Sequence, residues 1–267
     1  MTIRLPDARS KLRQLRTNGA KPLGLIVGSP DPAMTEALAV GGFDFVILDD
    51  EHAPMGPAGA LQHVRAAEAA GIVPIVRVGE TAQPVVQKFL DVGCQGIVFP
   101  RIESAEMAQL AVSTIRFAPH GARGMCPSCH GAWYGAHDWP TYSRRSEEET
   151  LCIVLIETAA GVDAVESIAA VDGVDVLFFG IGDLSQDYGD GPGWESPSVM
   201  KAWQRLRDAV AGTDILLMTA PHPTVSASSV SALFDDGADL VVYSADWVLL
   251  RQTFAGITQS IATAGRG

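Results

Sequence analysis

The amino-acid sequence predicts a single (β/α)8 barrel domain, α/β in class, that spans residues 1–267. Eight short apolar runs recur along the chain, and segments with helical periodicity lie between them. The length of 267 residues suits one such barrel, which takes about 250 residues. The hydrophobic content of 47 %, with only 7 % aromatic residues, is typical of parallel strands that are buried on both faces.

The eight apolar runs are the predicted strands. In chain order they are LGLIV from residue 23, FDFVILD from 43, VPIVRV from 73, GIVFP from 96, CIVLIE from 152, VDVLFFG from 174, DILLM from 214 and DLVVYS from 239. Helical segments cover 57–70, 82–92, 103–115, 159–170, 198–211 and 224–236, and a last helix runs from Asp246 to about Ala264. Strand and helix therefore alternate along the chain.

An open, doubly wound sheet is the alternative arrangement for alternating strands and helices. Such a sheet usually has about five to seven strands and a glycine-rich phosphate turn after the first. The first run is followed here by GSPDPAMTEAL, which lacks that turn and in which Ser29 or Asp31 would cap the first barrel helix. The strand count and the missing turn favour the closed barrel.

The interval between strands 4 and 5, residues 101–150, is longer than the others. Its helix is followed by a segment rich in Gly, Pro, His and Trp. Long loops in compact domains are usually functional, and the aromatic residues Trp133, Tyr134, Trp139 and Tyr142 argue that this one packs against the barrel. We expect the loop at about 117–150 to form a partly ordered cover over the barrel mouth.

Charge and cysteine usage limit the partners and the compartment. The chain has 31 acidic and 19 basic residues and a net charge of −12, which repels nucleic acid and anionic membranes, so we expect neither as a partner. Residues 1–20 hold no apolar run of secretory length, and no later stretch approaches a membrane span. We therefore expect a cytoplasmic protein, whose four irregularly spaced cysteines are reduced thiols.

Catalytic groups of a barrel lie at the C-terminal ends of its strands. Polar residues follow five of the predicted strands: Asp49, Asp50, Glu51 and His52 after strand 2, Arg77 after strand 3, Arg101 and Glu103 after strand 4, Glu157 after strand 5, and Asp183 after strand 6. The candidate site is expected at this rim.

Glu157 and Asp183 are separated by one strand–helix repeat, so they should end neighbouring strands about 4.8 Å apart. Two carboxylates this close can share a divalent ion, and an oxygen-only ligand set fits Mg2+ or Mn2+ better than Zn2+. Without a metal, repulsion between the carboxylates should raise the pKa of one of them. The alternative is that Asp183 caps the helix that follows it.

His52 and Arg77 form a second pair, at the ends of strands 2 and 3. A guanidinium binds carboxylate and enolate oxygens, and an imidazole moves protons near neutral pH, as carbanion chemistry next to a keto acid requires. Taken singly, such an arginine is usually part of a surface ion pair and such a histidine is usually solvated. Two neighbouring pairs at strand ends favour a functional site.

The strings GFDFVILDDEHAP, PIVRV, LDVGCQGIVFPRIES, GARG, LIET and GIGDLS follow one another between about residues 20 and 250. In this combination the sequence resembles the HpcH/HpaI family of class II, metal-dependent pyruvate aldolases. The resemblance implies a barrel of the phosphoenolpyruvate/pyruvate-domain type that exchanges its C-terminal helix between the subunits of a homohexamer or trimer.

The resemblance also implies which residues bind the metal and the substrate. Glu157 of LIET and Asp183 of GIGDLS would hold Mg2+, Mn2+ or Co2+. Gly182 and Asp183 would border the substrate, Arg77 of PIVRV would stabilise the enolate oxygen, and Arg123 of GARG would lie near the mouth.

Three further residues have roles implied by the resemblance. His52 would be the catalytic histidine, and Asp49 would reach the metal through a water molecule. Asp91 of LDVG would orient His52, unless it caps the preceding helix.

The implied reaction is reversible cleavage of 4-hydroxy-2-oxo acids to pyruvate and an aldehyde through a metal-bound enolate, with oxaloacetate decarboxylation as a side activity. It needs no Schiff-base lysine, and no lysine follows a predicted strand. Leu155 stands where relatives often have glutamine, and the segment after GARG also departs from relatives, so the aldehyde is left open. The alternative is a related lyase or mutase acting on phosphoenolpyruvate or a dicarboxylate, although a phosphate site would present extra basic groups.

Cys126, Cys129 and His130 form a C-x-x-C-H motif, the pattern of covalent haem attachment. Haem attachment requires export, which the sequence does not indicate, whereas a zinc site would need a fourth ligand such as His120 or His137. A non-catalytic metal- or haem-binding module is thus the hypothesis from a different class of function, and ordinary loop thiols are the simplest interpretation.

Overall fold

A computed structural model describes residues 8–265 and shows eight parallel strands that close into a barrel in chain order. The strands are Leu23–Val27 (β1), Phe45–Asp49 (β2), Val73–Arg77 (β3), Gly96–Phe99 (β4), Leu151–Ile156 (β5), Val176–Phe179 (β6), Leu216–Thr219 (β7) and Leu240–Ala245 (β8). Each strand pairs with the next, and β8 pairs with β1. The predicted barrel and its eight strands are confirmed, and the open sheet is excluded.

Helices connect the strands and surround the barrel. They are Ala8–Thr17 (α1), Ala33–Val40 (α2), Gly56–Ala70 (α3), Gln83–Asp91 (α4), Ala105–Ile115 (α5), Trp139–Glu149 (α6), Ala159–Asp163 (α7), Val165–Ala169 (α8), Ile181–Tyr188 (α9), Pro197–Val210 (α10), Ala227–Asp235 (α11) and Asp246–Thr263 (α12). The predicted helix at 159–170 is divided at Ala164. Asp31, rather than Ser29, accepts the N–H of the first residue of α2. Within the described chain, no helix combines the length and apolarity needed to cross a membrane.

The strands are continuous apolar runs because both of their faces are buried. In β2, Phe45 and Ile47 belong to the core inside the barrel, whereas Val46 and Leu48 belong to the larger core between the barrel and the helices. Successive side chains of a strand point to opposite faces, so one register fixes which strand residues face the barrel axis.

Helix α1 closes the N-terminal end of the barrel. Its Leu12 is fully buried in the interior core, and Arg16 pairs with Asp239, which precedes β8. Gly24 makes room for the interior ring of Phe45, because a Cβ at Gly24 would stand 2.1 Å from a ring carbon. The mouth that remains is the end where the strands terminate.

The long interval between β4 and β5 does not cover this mouth, contrary to the prediction from the sequence. His130 contacts Glu68 at 3.3 Å, and the Gly131 N–H donates to the Asp91 carbonyl oxygen at 2.8 Å. Glu68 and Asp91 lie near the C-terminal ends of α3 and α4, which return the chain to the start of the next strand. The segment 117–150 therefore packs outside the barrel, toward the end opposite the mouth.

Helix α6 lies within this segment and has little apolar periodicity to reveal it. Its sequence is WPTYSRRSEEE, and Tyr142 is its one buried residue among those described. Asp138 caps it by accepting the Thr141 N–H at 2.9 Å, and Pro140 occupies its first turn. The start of this helix is set by its cap and its proline, and no apolar stripe marks the helix in the sequence.

Candidate active site

Three polar residues reach the mouth from the interior face of the barrel. They are Asp49, Arg77 and Glu157. The residue two positions before each of them, Ile47, Ile75 and Leu155 respectively, lies in the interior core. Because side-chain direction alternates along a strand, these three side chains point into the barrel at its open end. Of the five strands predicted to form the rim, β2, β3 and β5 thus contribute polar side chains from the interior face.

Arg77 is held by carboxylates on two sides. Asp49 and Arg77 face each other across β2 and β3, and the guanidinium donates to both Asp49 oxygens, from Nε at 3.0 Å and from Nη2 at 2.8 Å. The Glu51 carboxylate lies 3.3 Å from Nε. This paired geometry fixes the plane of the guanidinium and aims it into the mouth.

His52 stands beside this group and is largely exposed to solvent. Its Nε2 lies 3.6 Å from Oε2 of Glu51, and its side chain is 65 % exposed. Its backbone N–H donates to Asp49 at 3.3 Å. The structure therefore brings the predicted pair His52 and Arg77 together through Glu51, a residue that the sequence analysis had placed on the rim without a role.

Glu157 is a deeply buried carboxylate of the mouth, only 6 % exposed. Its Oε1 accepts the backbone N–H of Arg101 at 2.9 Å. Burial raises the pKa of Glu157 to about 7, assisted by repulsion from Asp183 and Glu51 and opposed by the Arg101 N–H and Arg77. A rise in the pKa of one carboxylate of the pair is thus found at Glu157, but its main cause is burial, and the predicted repulsion from Asp183 is a smaller contribution.

Asp183 and Gly182 lie in the first turn of α9, just past the end of β6, and both are exposed. Gly180 occupies the N-cap position of α9, so the alternative interpretation of Asp183 as a helix cap is wrong. Ile156 and Phe179 face each other across β5 and β6, which places Glu157 and Asp183 at adjacent strand ends. Both carboxylates line one cleft.

This cleft has a volume of about 500 Å3 and opens at the mouth. Arg77 and Leu155 form part of its floor, and Gly182 lies on its wall. Tyr243 and His222 line the opposite side, from β8 and the loop after β7. Neither was selected from the sequence: Tyr243 lies near the end of the last apolar run, but no recognisable motif marks it or His222.

The donor set fits a hard divalent cation. Glu157 and Asp183 offer carboxylate oxygens, and the buried Glu157 needs a positive charge nearby to ionise fully at neutral pH. Oxygen ligands with open positions suit Mg2+, Mn2+ or Co2+. The residues present therefore fit the metal that the sequence analysis expected.

Comparison with known proteins decides the family. A family model described as HpcH/HpaI aldolase/citrate lyase matches residues 23–243. The chain belongs to this family. Membership makes it an enzyme of the lyase class and confirms the resemblance seen in the ordered motifs.

Individual members of the HpcH/HpaI family are similar over nearly the whole chain. The pyruvate aldolase of Rhizobium etli is 32 % identical over 256 residues, which cover 94 % of this chain and 96 % of that protein. The hydroxypyruvate/pyruvate aldolase of Roseovarius nubinhibens is 30 % identical and covers 93 % and 95 %. The crystal structure of a family protein from Burkholderia cenocepacia has a TM-score of 0.86 at 30 % identity and covers 96 % and 100 %.

Two residues that the family resemblance had assigned to the site lie elsewhere in this chain. Asp91 is the last residue of α4 and binds Arg123 at 3.3 Å, beside the start of β4. Arg123 also donates to Ser146 and Tyr142, both in α6. Asp91 therefore does not orient His52 within one chain, and Arg123 does not line the mouth, because the connection from helix to strand lies at the opposite end.

The C-x-x-C-H motif lies in the same outer segment. His130 is engaged at both ring nitrogens, by Tyr134 at 3.1 Å and by Glu68 at 3.3 Å, so it has no nitrogen left for haem iron or zinc in this conformation. His120 contacts Glu147 at 3.3 Å instead of the cysteines. Burial raises the pKa of the Cys129 thiol to about 11.

Two backbone features of the mouth were also missed from the sequence. Arg101 has a φ of 51°, in the left-handed region, and this conformation aims its N–H at Glu157. Gly180 leaves room for the same carboxylate, because a Cβ there would stand 2.6 Å from Cβ of Glu157. The position of Arg101 directly after strand 4 was a usable signal, whereas its backbone angle was not.

Proposed function

We propose that this chain is a class II, metal-dependent aldolase that reversibly cleaves 4-hydroxy-2-oxo acids to pyruvate and an aldehyde. The observation that carries the proposal is the convergence of Glu157, Asp183 and Arg77 on one cleft of an HpcH/HpaI family barrel. Glu157 and Asp183 would hold the divalent ion, with Mg2+, Mn2+ or Co2+ as candidates. When bound, the ion would supply Lewis-acid polarisation of the 2-oxo acid.

Arg77 stabilises the negative charge that develops on the keto oxygen as the carbon–carbon bond breaks. Asp49 occupies Nε and Nη2 of the guanidinium, which leaves Nη1 without a hydrogen-bond partner among the described residues. A donor fixed in advance by a carboxylate stabilises such charge without reorganising during the reaction. The role of Asp49 in this proposal is to orient Arg77, in place of contact with the metal through water.

His52 handles the proton of the C4 hydroxyl. In the cleavage direction it accepts this proton, and in the synthetic direction it returns the proton to the new alkoxide. Its exposed imidazole beside Glu51 has access to substrate and to solvent.

Leu155 and the wall residues Tyr243 and His222 would meet the aldehyde part of the substrate. Leu155 removes a polar side chain from the floor of the cleft, which favours aldehydes with an apolar or small group at that point. The alternative of a phosphoenolpyruvate enzyme receives less support, because Arg77 is the one arginine or lysine lining the cleft among the described residues and is already paired with Asp49.

We further propose that the protein acts as a cytoplasmic homo-oligomer, a hexamer or trimer, in which α12 packs on a neighbouring subunit. Apolar side chains of α12 are exposed in the single chain, with Trp247 at 53 %, Phe254 at 59 % and Ile257 at 51 %. An apolar stripe of this kind is covered in stable proteins by another surface. Size-exclusion chromatography with light scattering tests the oligomeric state.

The proposed activity is tested by measuring pyruvate release from 4-hydroxy-2-oxo acids. The protein is first treated with EDTA and desalted, then assayed alone and with Mg2+, Mn2+ or Co2+. Activity is expected only with an added ion, and Glu157→Gln is expected to lose the response to that ion. Undiminished turnover by the EDTA-treated protein would contradict the proposal. Incubation of pyruvate and Mn2+ with a panel of aldehydes, followed by mass spectrometry, identifies the acceptor.

A further inference from the structure

The loop that follows β7 places a histidine on the wall of the cleft. His222 lines the same cleft as Arg77 and Asp183, and its side chain is exposed. Within residues 8–265, no hydrogen bond or ion pair engages its imidazole. The imidazole therefore contributes no polar contact to the fold, and both of its ring nitrogens are free to bind a ligand.

Hydrogen bonds hold this loop to a short helical turn, Gly193–Glu195, that follows α9. The backbone N–H of Trp194 donates to the His222 carbonyl oxygen at 3.1 Å, and the indole Nε1–H of Trp194 donates to the Ala220 carbonyl oxygen at 3.1 Å. Gly193 allows the close approach, because a Cβ there would stand 2.3 Å from the His222 carbonyl oxygen. One tryptophan thus fixes the loop at two points.

Trp194 is itself anchored by a cluster of three aromatic rings. Its ring centroid lies 5.8 Å from that of Phe179 and 5.6 Å from that of Trp203, and these two rings are 5.5 Å apart. Phe179 is the fully buried last residue of β6, the strand that leads to Asp183. The position of His222 is therefore tied to the strand that leads to a proposed metal ligand.

The charge of the cleft limits what His222 can bind. Glu157 and Asp183 line the cleft, and Arg77, which is paired with Asp49, is the one arginine or lysine among the described lining residues. An aldehyde with a carboxylate or phosphate group would need a further cation to offset the repulsion from the carboxylates. A neutral hydroxyl needs none, because an imidazole can donate a hydrogen bond to it or accept one from it.

The rest of the lining indicates where such a hydroxyl would lie. Leu155, Phe178 and Val242 belong to the interior core and present apolar surface to the cleft. His222 and Tyr243 offer polar groups on the wall. An acceptor that fits both surfaces has a short carbon chain against the floor and a polar group at the wall.

We propose that His222 determines acceptor specificity by forming a hydrogen bond with a hydroxyl group of the aldehyde, so that the preferred acceptors are short, uncharged hydroxyaldehydes. This role rests on the proposed aldolase function and adds the chemical class of the acceptor. Because Trp194 holds the loop before substrate binds, little freedom is lost when the hydrogen bond forms. A site built to bind a hydroxyl also rejects the analogue that lacks one.

The test compares aldehydes of equal size that differ in one group, in Mg2+-dependent addition to pyruvate. Glycolaldehyde is paired with propanal, and 3-hydroxypropanal is paired with butanal. In the unaltered protein, kcat/KM should favour the hydroxylated member of at least one pair by about fivefold or more. His222→Phe should remove this preference by lowering kcat/KM for the hydroxyaldehyde. His222→Gln keeps a hydrogen-bonding group and should retain most of the preference.

Two further variants separate the position of the imidazole from its chemistry. Gly193→Ala adds a Cβ that presses on the His222 carbonyl oxygen, so the preference should fall although the histidine is still present. His120→Phe, at an exposed histidine of the outer segment, is the matched control and should keep the preference. The ratio of kcat/KM within a pair does not depend on the amount of folded enzyme, so it remains valid for a less stable variant.

Equal kcat/KM values within both pairs, or an unchanged preference in His222→Phe, would overturn the role of His222. A preference for propanal and butanal, or for the anionic succinic semialdehyde over 3-hydroxypropanal, would overturn it as well. Exchange of the pyruvate methyl protons in D2O with Mg2+, followed by NMR without any aldehyde, tests the aldolase function separately. Exchange without a hydroxyl preference removes only the role of His222, whereas no exchange and no addition would refute the aldolase function too.

Discussion

Both oxygens of the Asp49 carboxylate bind the guanidinium of Arg77, at 3.0 Å from Nε and 2.8 Å from Nη2. The two residues are direct partners in the register of β2 and β3, so the backbone pairing sets their side chains against each other. Arg77 is thereby presented to the cleft in one orientation, a condition for effective stabilisation of a developing oxyanion. The feature to test is therefore the paired hydrogen bonding of the Arg77 guanidinium, in addition to its positive charge.

Arg77→Lys should lower kcat for aldol cleavage by about 100-fold or more, the usual effect of removing one positioned oxyanion donor. Lysine keeps the charge but cannot bind Asp49 through two parallel hydrogen bonds. Oxaloacetate decarboxylation should fall by a similar factor, because both reactions need the same charge to be stabilised. Steady-state kinetics with both substrates measure the effect, and Arg65→Lys on the outer helix α3 is the matched control. Retention of full decarboxylase rate in Arg77→Lys would require a different role for Arg77.

His52→Gln should separate these two reactions. Cleavage of a 4-hydroxy-2-oxo acid needs a base for the C4 hydroxyl and should slow by about 100-fold or more. Oxaloacetate has no such hydroxyl, so its decarboxylation should change little. Equal losses in both assays would show that His52 acts on the shared part of the reaction instead.

In the metal-free protein, Glu157→Gln should remove a loss of folding stability that develops as the pH rises. The pKa of Glu157 is raised from 4.5 to about 7 in the folded state. A raised carboxyl pKa stabilises the folded state most below the unfolded pKa, and that stability is lost as the pH rises through about 7. The unaltered protein should therefore lose stability relative to the variant between about pH 4.5 and pH 7. Urea unfolding in EDTA across this range measures the difference.

Mg2+ provides the control for this pH effect. At pH 8 the ion should raise the stability of the unaltered protein, because it compensates the buried charge of Glu157, and should raise that of Glu157→Gln much less. A pH-independent difference between the two proteins would mean that Glu157 is ionised over the whole range.

Gly180→Ala should destabilise the protein by about 1–3 kcal/mol, the usual cost of overpacking a closely packed position. Its Cβ would stand 2.6 Å from Cβ of Glu157 and 3.0 Å from Cδ1 of Leu155, so the Glu157 side chain must also move. Gly182→Ala is the matched control, because no atom lies within 4 Å of a Cβ there. Alanine in α9 should leave stability unchanged or raise it by about 0.5–1 kcal/mol. Urea unfolding compares the two, and equal values would contradict the packing argument.

The strand ends show how much of the site was accessible from sequence. Asp49, Arg77 and Glu157 each follow an apolar run directly, and the alternation of the strand carries each side chain to the interior face. The local sequence pattern was enough to predict the position of these three residues, because side-chain direction at the end of a strand is set by residues that are neighbours in sequence.

Other residues depended on contacts between distant segments. The family resemblance assigned Asp91 and Arg123 to the same site, yet in this chain both lie at the outer side of α4. A sequence motif does not show at which end of the barrel its residues lie, so this position could not be predicted. Helix α6 escaped prediction since its stability comes from the Asp138 cap and from packing instead of an apolar stripe. The contact between Glu51 and Arg77 depends on the pairing of β2 with β3.

The sequence by itself determined the eight strands, their closure into a barrel, the carboxylate pair Glu157 and Asp183, and the rim that carries His52 and Arg77. These follow from periodicity and from the order of polar residues after apolar runs, which are local properties of the chain. Only the tertiary structure decided that Arg101 and Gly180 shape the environment of Glu157, that segment 117–150 leaves the mouth open, and that Trp194 holds the loop of His222. Those relationships arise from the packing of segments distant in sequence, whose positions are fixed by burial and by backbone geometry that no short pattern encodes.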